Sequence, residues 1–401
     1  MLQPFRDEFN ARFESAKYDA LLARLNEATR TAVQFRVCET PCFFPKAMLE
    51  EMAEIGRDLT HQLVDSAEYM AASDAAVPER YTVRGENRQP HFMTVDFGLV
   101  RAADGSLAPK LVELQAFPSV FGYQDVLAPH YMDVFGLDPQ WKWRLGGHTE
   151  ESYWKLLGEI IVGDHASENV VLLEVAPETQ KTLPDFHVFE DRLGIKAVDI
   201  SGLRKDGRTL LYPKDGRWIP IKRIFNRVIV DEVERKGIVL PFDYRDELDV
   251  EWAGHPNWYF RISKFSLPYL NHAAVPKAVF LDEWFAGRRE GLPEDREQLL
   301  LKPLYSFAGL GIRFAPTDAE LYSIPEGEQR NYLLQERVRF EPVIETPEGK
   351  TMAEIRIMYL WPDGRELEPV VSLVRMGRGL MMGVDQNRDQ KWVGGSAALF
   401  R

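Results

Sequence analysis

The first 75 residues carry apolar side chains at the three- and four-residue spacing that predicts helices. The clearest helix runs from Lys46 to Met70, and five apolar residues share one of its faces: Leu49, Met52, Ile55, Leu59 and Leu63. Pro45 directly precedes this run, and proline is favoured at the start of a helix. We therefore predict an N-terminal helical segment over residues 1–75.

The apolar pattern changes to alternation near residue 80. The stretches HFMTVDFGLV and APKLVELQAF predict two strands joined by a turn at Asp104 and Gly105. Another change of pattern follows near residue 150. We therefore take residues 76–150 as the second unit of the chain.

A small α/β domain is predicted over residues 151–240. A helix from about Glu150 to Val162 is followed by NVVLLEVAP, a continuous apolar run typical of a buried parallel strand. A second helix stops at Gly194 and KAVDIS supplies the next strand, which gives a strand–helix–strand unit of the doubly wound type. A hairpin in TLLYPKDGRWIPI and a strand in RIFNRVIV complete the domain. Asn226 and Arg227 lie at the end of that strand, where such sheets bind ligands.

Residues 241–401 show a mixed α+β pattern. The strand candidates here are LLLKPL, GIRFAP, YLLQERV, AEIRIMYLW and EPVVSLVRM, with turns rich in Gly, Pro and Asp between them. The predicted fold class is therefore a combination of α/β and α+β.

Composition narrows the classes of function. With 45% apolar and 28% charged residues, the chain is an ordinary globular protein with a core. We find neither a signal-peptide pattern nor an apolar run long enough to cross a bilayer, and so expect a cytoplasmic protein. A net charge of −13 argues against nonspecific binding to nucleic acid or to a membrane. The two cysteines, Cys38 and Cys42, are too few for a disulfide framework, and we interpret them as reduced thiols.

The segment after Lys302 is the first candidate for chemistry. Lys302 ends an apolar strand, and a short loop of small residues follows, with Ser306, Gly309 and Gly311 in it. Glycines let the backbone N–H groups approach an anion, and the lysine adds a positive charge, so the loop suits a phosphate. It is not a Walker A loop, because the Gly-Lys-Ser/Thr order is missing. The alternative is a plain hairpin.

Two further segments follow downstream. Gln335, Glu336 and Val338 lie in YLLQERV, which is either a half-buried strand or a hinge whose backbone pairs with an adenine edge. Arg356 and Arg375 lie on neighbouring predicted strands, and alternation could point both into one cleft. Two such cations could stabilise a transferring phosphoryl group, and the alternative is that each is a surface arginine.

Oxygen ligands are concentrated in the earlier predicted hairpin. Glu113 and Gln115 are two residues apart on a strand and so share a face, and Asp96 lies on the preceding strand. Carboxylate and amide oxygens are the ligands that magnesium prefers. The alternative is the polar face of a half-exposed hairpin.

These segments together resemble the ATP-grasp family. LLLKPLYSFAGLGIRF is similar to its strand–loop–strand over the phosphates, LLQERV to its adenine-side hinge, and AEIRI to its Asp-x-Arg segment. VRMGRG and NRDQKWVGGSA resemble the segments that follow. RISKF resembles an earlier lysine segment, which implies that Lys264 is a second phosphate-side lysine. VDFG and VELQAFPSVFG resemble the end of that domain, where an Asp and a Glu-x-Asn hold magnesium, which implies this role for Asp96, Glu113 and Gln115.

The order of the segments is the unusual feature. The part that ends the domain in the ordinary family comes first here, and the chain stops at Phe400 and Arg401 shortly after the Gly-Gly. This resembles the circularly permuted ATP-grasp group that includes glutathionylspermidine synthase-like proteins. The resemblance covers most of residues 45–401. It implies that residues 76–150 are the displaced, magnesium-binding end of the domain, that 151–240 match the domain preceding it, and that 241–401 bind the nucleotide.

Two residues depart from the family pattern, since Gln115 replaces an Asn and Glu354 replaces the Asp of Asp-x-Arg. Both keep their oxygens but are one methylene longer. The function implied by the resemblance is an ATP- and Mg²⁺-dependent ligase that joins a small-molecule or peptide carboxylate to an amine or a thiol. One alternative is a nucleotide-binding module without catalysis, and another is a non-nucleotide α/β protein that binds a partner. The sequence leaves the substrates and the oligomeric state open.

Overall fold

The computed structural model describes residues 1–304, 311–383 and 389–401. The α-helices are α1 Gln3–Arg12, α2 Ser15–Ala28, α3 Lys46–Val64, α4 Ala67–Ser73, α5 Phe121–Phe135, α6 Glu150–Ile161, α7 Leu183–Leu193, α8 Val230–Arg235, α9 Pro256–Arg261, α10 Leu281–Phe285 and α11 Asp318–Tyr322. The strands are β1 Cys42–Phe44, β2 Phe92–Arg101, β3 Leu107–Gln115, β4 Val170–Glu174, β5 Lys196–Asp199, β6 Arg204–Asp206, β7 Thr209–Lys214, β8 Arg217–Pro220, β9 Arg223–Asn226, β10 Glu251–Ala253, β11 Ala278–Phe280, β12 Leu299–Pro303, β13 Arg313–Phe314, β14 Tyr332–Glu336, β15 Met352–Leu360, β16 Glu368–Gly377, β17 Gly394–Ser396 and β18 Ala398–Phe400.

A five-stranded antiparallel sheet joins distant parts of the chain. Its strand order is β17-β16-β15-β2-β3, so the predicted hairpin β2–β3 is confirmed and pairs with strands more than 200 positions later. One face of this sheet is apolar and belongs to a large buried core that includes Val95, Ile355 and Tyr359. We name this element the central sheet. The predicted site residues Asp96, Glu113, Arg356 and Arg375 lie on its other face.

Helix α3 packs on the apolar face of the central sheet. The Tyr359 hydroxyl donates to the carbonyl of Ala53 at 2.9 Å, and Gly56 leaves room for that ring beside the helix. The prediction of one helix to Met70 was wrong, since α3 ends at Val64 and α4 follows. Ser66 causes the break, because its hydroxyl accepts the N–H of Tyr69 and so caps a new helix.

A four-stranded parallel sheet, in the order β10-β9-β4-β5, confirms the predicted strand–helix–strand unit. Helix α7 crosses between β4 and β5, as predicted. The predicted hairpin is confirmed as β7–β8 and gains a third strand, β6. The run RIFNRVIV was predicted as one strand, but β9 ends at Asn226 and α8 begins at Val230.

A second antiparallel sheet, in the order β11-β14-β12-β13, carries the predicted phosphate-side strand β12 and the predicted hinge strand β14. Helices α10 and α11 cover it through a small core that includes Leu281, Trp284 and Leu321. Only Arg313 and Phe314 of the predicted strand GIRFAP form β13, because Ala315 adopts a left-handed conformation with φ 50°.

The beginning of α3 lies beside residue 401. Strands β1 and β18 pair in parallel, and the N–H of Lys46 donates to the carbonyl of Arg401 at 3.2 Å. The same region contains Cys38 and Cys42, which are free thiols as predicted and fully buried. Within the described ranges, helices that combine the length and the apolar character needed to cross a membrane are absent.

Candidate active site

Five charged side chains meet on the polar face of the central sheet. Asp96 on β2 lies opposite Glu113 on β3 and opposite Arg356 on β15. Glu354, also on β15, lies opposite Arg375 on β16. Residues that face one another across adjacent strands project to the same side, so the register alone assembles the cluster. Arg356 and Arg375 are therefore brought together as predicted.

Asp96 is the hub of this cluster. Its carboxylate accepts two hydrogen bonds from Arg356, both at 2.6 Å, and one from Arg375 at 3.1 Å. Arg375 also donates to the carboxylate of Glu354. Glu354 is therefore paired with Arg375 and not with Arg356. Arg356 reaches towards Glu113 as well, at 3.9 Å. The result is a continuous chain of alternating charges across four strands.

Burial and the neighbouring arginines shift the pKa values of two acids in the cluster in opposite directions. Asp96 is 1% exposed, and although burial by itself raises the pKa of a carboxyl group, the two arginines hold the pKa of Asp96 below its usual range. Burial has the larger effect on Glu354 and raises its pKa despite the neighbouring Arg375. The charges of Asp96 and Glu354 outweigh burial at Arg375 and raise its pKa.

Two lysines face the cluster from other elements. Lys302 is the next-to-last residue of β12, and Lys264 begins a 3₁₀-helix, Lys264–Tyr269, which Ser263 caps. Both are nearly buried, at 6% and 9% exposed. Burial lowers the pKa of Lys302 to about 8, with Glu113 and Glu354 opposing the shift and Lys264 adding to it. Burial also lowers the pKa of Lys264, against the charges of Glu113 and Asp231.

A pocket opens beside these groups, between the central sheet and the α/β unit. Its lining includes Glu113 and Gln115 from β3, Phe117 from the segment after it, Asp231 from α8 and Lys264. A more voluminous cleft lies between α3 and residues 142–150, but its charges are largely paired with one another, as in Lys46 with Glu50. We place the candidate site at the smaller pocket, since Glu113 and Lys264 of the charged cluster line it.

The predicted magnesium ligands are adjacent in the structure. Gln115 donates its amide N–H to Glu113 at 2.9 Å, and both line the pocket, so a carboxylate and an amide oxygen are available there. This donor set is of the kind that could hold Mg²⁺. Asp96 lies next to Glu113, but its oxygens already accept from the two arginines. Within the described part of the chain, clusters of three or more His, Cys, Asp or Glu with metal-binding geometry are absent.

The predicted adenine side lies on β14. Gln335 is 1% exposed, and among the described residues its side-chain carbonyl has no hydrogen-bond partner, so a buried acceptor is available to a ligand amine. The backbone N–H of Glu336 donates to Lys277 at 2.7 Å and is therefore occupied by pairing with the next segment. Val338 lies beyond the end of β14. On this strand, the side-chain carbonyl of Gln335 is therefore the group that could accept a hydrogen bond from a ligand, whereas the backbone N–H of Glu336 is already bonded.

The predicted phosphate loop is described only in part. Ser306 and Gly309 lie outside the described residues. Gly311 has φ +74°, and a Cβ at this position would lie 2.8 Å from the ring of Pro303, so only glycine fits there without strain. Gly311 therefore lies beside Pro303, the residue that follows Lys302.

Sequence reasoning missed three polar residues of the pocket, Asp231, Tyr259 and Ser263. Asp231 lies beyond the carboxyl end of β9, at the edge that was predicted to bind ligands. The predicted strand RIFNRVIV ends one residue before it. Asn226 and Arg227 lie at the same edge but are buried, at 4% and 2% exposed. Asp231 lines the pocket at this edge, and contact of Asn226 and Arg227 with a substrate stays a prediction.

Comparison with solved structures shows the fold. The chain resembles a glutathione synthetase-like effector from Globodera pallida, solved in its apo form, with a TM-score of 0.58 over 95% of this chain and 97% of that one. The chain shares its fold with a glutathione synthetase-like protein. The two sequences are only 12% identical, so the likeness concerns the fold alone. Models of known protein families give no match, and neither do curated protein sequences.

Proposed function

We propose that the protein is an ATP- and Mg²⁺-dependent ligase that activates a carboxylate as an acyl phosphate and transfers the acyl group to an amine or a thiol. The observation that carries the proposal is the largely buried cluster of Lys264, Lys302, Arg356 and Arg375 with three carboxylates, beside a pocket that Glu113 and Lys264 line. Perturbed, mutually coupled charges in a cleft are typical of catalytic sites.

The charge balance suits a phosphate ligand. Four cations face Asp96, Glu113 and Glu354, so the cluster carries a net positive charge when all these groups are ionised. Two of the cations, Lys264 and Lys302, are buried, and the charge of Glu113 acts on both. A triphosphate would supply the missing negative charge.

The residue roles follow from these positions. Lys302 and Lys264 would bind the phosphates of ATP, with Gly311 and the preceding loop covering them. Glu113 and Gln115 would hold Mg²⁺, which neutralises phosphate charge. Arg356 and Arg375, fixed by Asp96 and Glu354, would stabilise the oxygens of the phosphoryl group as it passes to the substrate carboxylate.

In the second step the nucleophile attacks the carbonyl of the acyl phosphate, the C–O bond to phosphate breaks, and inorganic phosphate leaves. The pocket between Glu113, Phe117 and Asp231 is adjacent to the phosphate-side Lys264 and is where the second substrate would bind. Positioning of the two reactants would supply most of the rate enhancement.

Two contacts support the permuted ATP-grasp order. Strands β2 and β3 complete one sheet with β15, β16 and β17, as expected if residues 76–150 are the displaced end of the domain. The Lys46 N–H donates to the carbonyl of Arg401, so α3 lies where a chain continuing from β18 would enter it. The fold shared with a glutathione synthetase-like protein also supports this proposal.

A nucleotide-binding protein without catalysis is the second candidate. The observation that favours it is the engagement of Asp96 by two arginines, because a carboxylate with three N–H donors is a poorer metal ligand. This candidate predicts MgATP binding without carboxylate-dependent release of ADP.

The experiment that tests the proposal is a thermal melt with ATP, with and without Mg²⁺, on wild type and Lys302→Ala. A ligand that binds only the native state raises the melting temperature. We expect a Mg²⁺-dependent rise in wild type that is lost in Lys302→Ala, followed by ADP release when carboxylates and amines or thiols are screened. An unchanged melting temperature of wild type at millimolar ATP would refute both candidates, and a shift without ADP release would favour the second.

A further inference from the structure

The segment between β3 and α5 forms one wall of the pocket. It follows Gln115 directly, and the ring of Phe117 lines the pocket together with Glu113 and Lys264. Phe117 also contacts Tyr259, another lining residue, with ring centroids 5.7 Å apart. The position of this short segment therefore sets the shape of the pocket.

The segment ends in a strained residue. Val120 has φ 59° and ψ 27°, which is the left-handed region. A β-branched residue rarely adopts this conformation, because its side chain crowds the backbone. Such a conformation persists only where surrounding contacts enforce it, and strained backbone of this kind is concentrated at functional sites. Val120 therefore needs a partner that holds it.

Asp185 on α7 is that partner. It is fully buried and accepts the backbone N–H of Val120 at 3.2 Å and that of Tyr123 at 2.9 Å. Gly122 allows the approach, because a Cβ there would lie 3.1 Å from the Asp185 carboxylate. The carboxylate thus binds the strained residue and the first turn of α5 at once.

Arg227 completes the support from the opposite side. It follows β9 at the carboxyl edge of the parallel sheet and donates to Asp185 at 2.6 Å. Its guanidinium lies 5.6 Å from the ring centre of Phe117 and 5.1 Å from that of Phe186. One cation therefore pairs with the carboxylate that holds Val120 and packs on the aromatic ring that lines the pocket.

We propose that Asp185 and Arg227 are positioning residues, which hold residues 117–120 so that Phe117 forms the wall of the second-substrate pocket. For its catalytic consequence this assignment rests on the proposed ligase function. It gives the α/β unit a role in the reaction, because both residues belong to that unit and act on a segment connected to the central sheet. Neither residue would touch the reacting atoms.

The test compares full-length wild type, Asp185→Asn and Asp125→Asn. Asp125 is a matched control, because it is also a buried aspartate that accepts from Arg144 and from two tryptophans, Trp143 and Trp154, but it lines a different cleft. Hydrogen exchange read by mass spectrometry reports on residues 116–123. We expect exchange there to be about tenfold faster in Asp185→Asn than in the other two proteins, with no change in β2 or β3. Arg227→Met is expected to behave like Asp185→Asn.

Kinetics supply the second readout. ADP release is measured with a panel of carboxylates and with amino acids, diamines and small thiols as acceptors. For an acceptor that supports turnover, Asp185→Asn should raise its KM about tenfold and leave the KM for ATP within about twofold. A purely structural role would lower the melting temperature, as Asp125→Asn should, without changing either KM.

Unchanged exchange over residues 116–123 in Asp185→Asn would overturn the assignment, and so would faster exchange with an unchanged acceptor KM. A wild type that releases no ADP would instead reject the ligase. The exchange measurement would then decide by itself whether Asp185 and Arg227 hold the segment.

Discussion

Replacing Lys302 with methionine should make the unliganded protein more stable. Lys302 is 6% exposed, and burial lowers its pKa to about 8 from the value of 10.5 for a solvated lysine. A difference of this size corresponds to about 3 kcal/mol that the folded protein gives up by keeping the buried amine protonated at neutral pH. Methionine has a similar length and no charge to desolvate, so Lys302→Met should recover up to about 3 kcal/mol.

The pH dependence has a definite sign. The folded pKa of Lys302 lies below its unfolded pKa, so the unfolded chain binds the proton more tightly. Wild type is therefore penalised fully below pH 8 and gains stability as the pH rises from about 8 towards 10.5. The stability advantage of Lys302→Met should be largest at pH 7 and should shrink across that window.

Ligand binding should change in the opposite direction. A phosphate beside Lys302 favours the protonated amine, so the rise in melting temperature with MgATP should weaken in wild type above pH 8 and should be lost in Lys302→Met. Urea titrations and thermal melts at pH 7 and pH 9.5 measure both effects. Lys350→Met is the control, because the Lys350 side chain is 57% exposed and its replacement should change stability by less than about 0.5 kcal/mol. If Lys302→Met is less stable than wild type at pH 7, the desolvation argument is wrong.

Three further predictions concern the central sheet. Gly56→Ala should lower the free energy of unfolding by about 1–3 kcal/mol in a urea titration, because the new methyl group would overlap the Tyr359 hydroxyl. Gly202→Ala is the control, because its methyl group meets open space and should not lower the free energy of unfolding. Asp96→Asn should cost about 3–5 kcal/mol in the same titration, because the buried Arg356 and the half-buried Arg375 lose their shared anion; a loss below about 1 kcal/mol would contradict the central role of Asp96. Glu113→Gln should remove the Mg²⁺-dependent part of the thermal shift with ATP and keep the part that ATP produces alone; a full Mg²⁺ response would exclude Glu113 as a ligand.

Local patterns predicted the strands of the site and the face that each side chain takes. Alternation along AEIRI and VSLVR places Arg356 and Arg375 on one face, and the structure pairs their strands directly. The ion pair between Asp96 and Arg356 lay beyond such reasoning, because its residues are 260 positions apart and only the strand order brings them together. Asp96 was therefore predicted as a metal ligand, and its ion pairs with Arg356 and Arg375 were not predicted.

Elements were misjudged where an apolar pattern continued through a turn. RIFNRVIV is apolar along most of its length, and nothing in its spacing shows that the backbone leaves the sheet after Asn226 and enters α8 at Val230. Asp231 directly follows this run and was not predicted as a site residue. The predicted helix to Met70 failed in the same way, since its apolar spacing continues past Ser66, whose hydroxyl begins a new helix.

The strand order also has a consequence during synthesis on the ribosome. β2 can pair with β3 as soon as both emerge, but its other edge is completed by β15, whose Arg356 follows Asp96 by 260 residues. At roughly 5–20 residues per second, that edge stays open for about 13 to 50 seconds. An unpaired strand edge is a template for intermolecular pairing, so this interval is when the nascent chain is most exposed to aggregation. The same interval is when a chaperone that shields strand edges would have the greatest effect on yield.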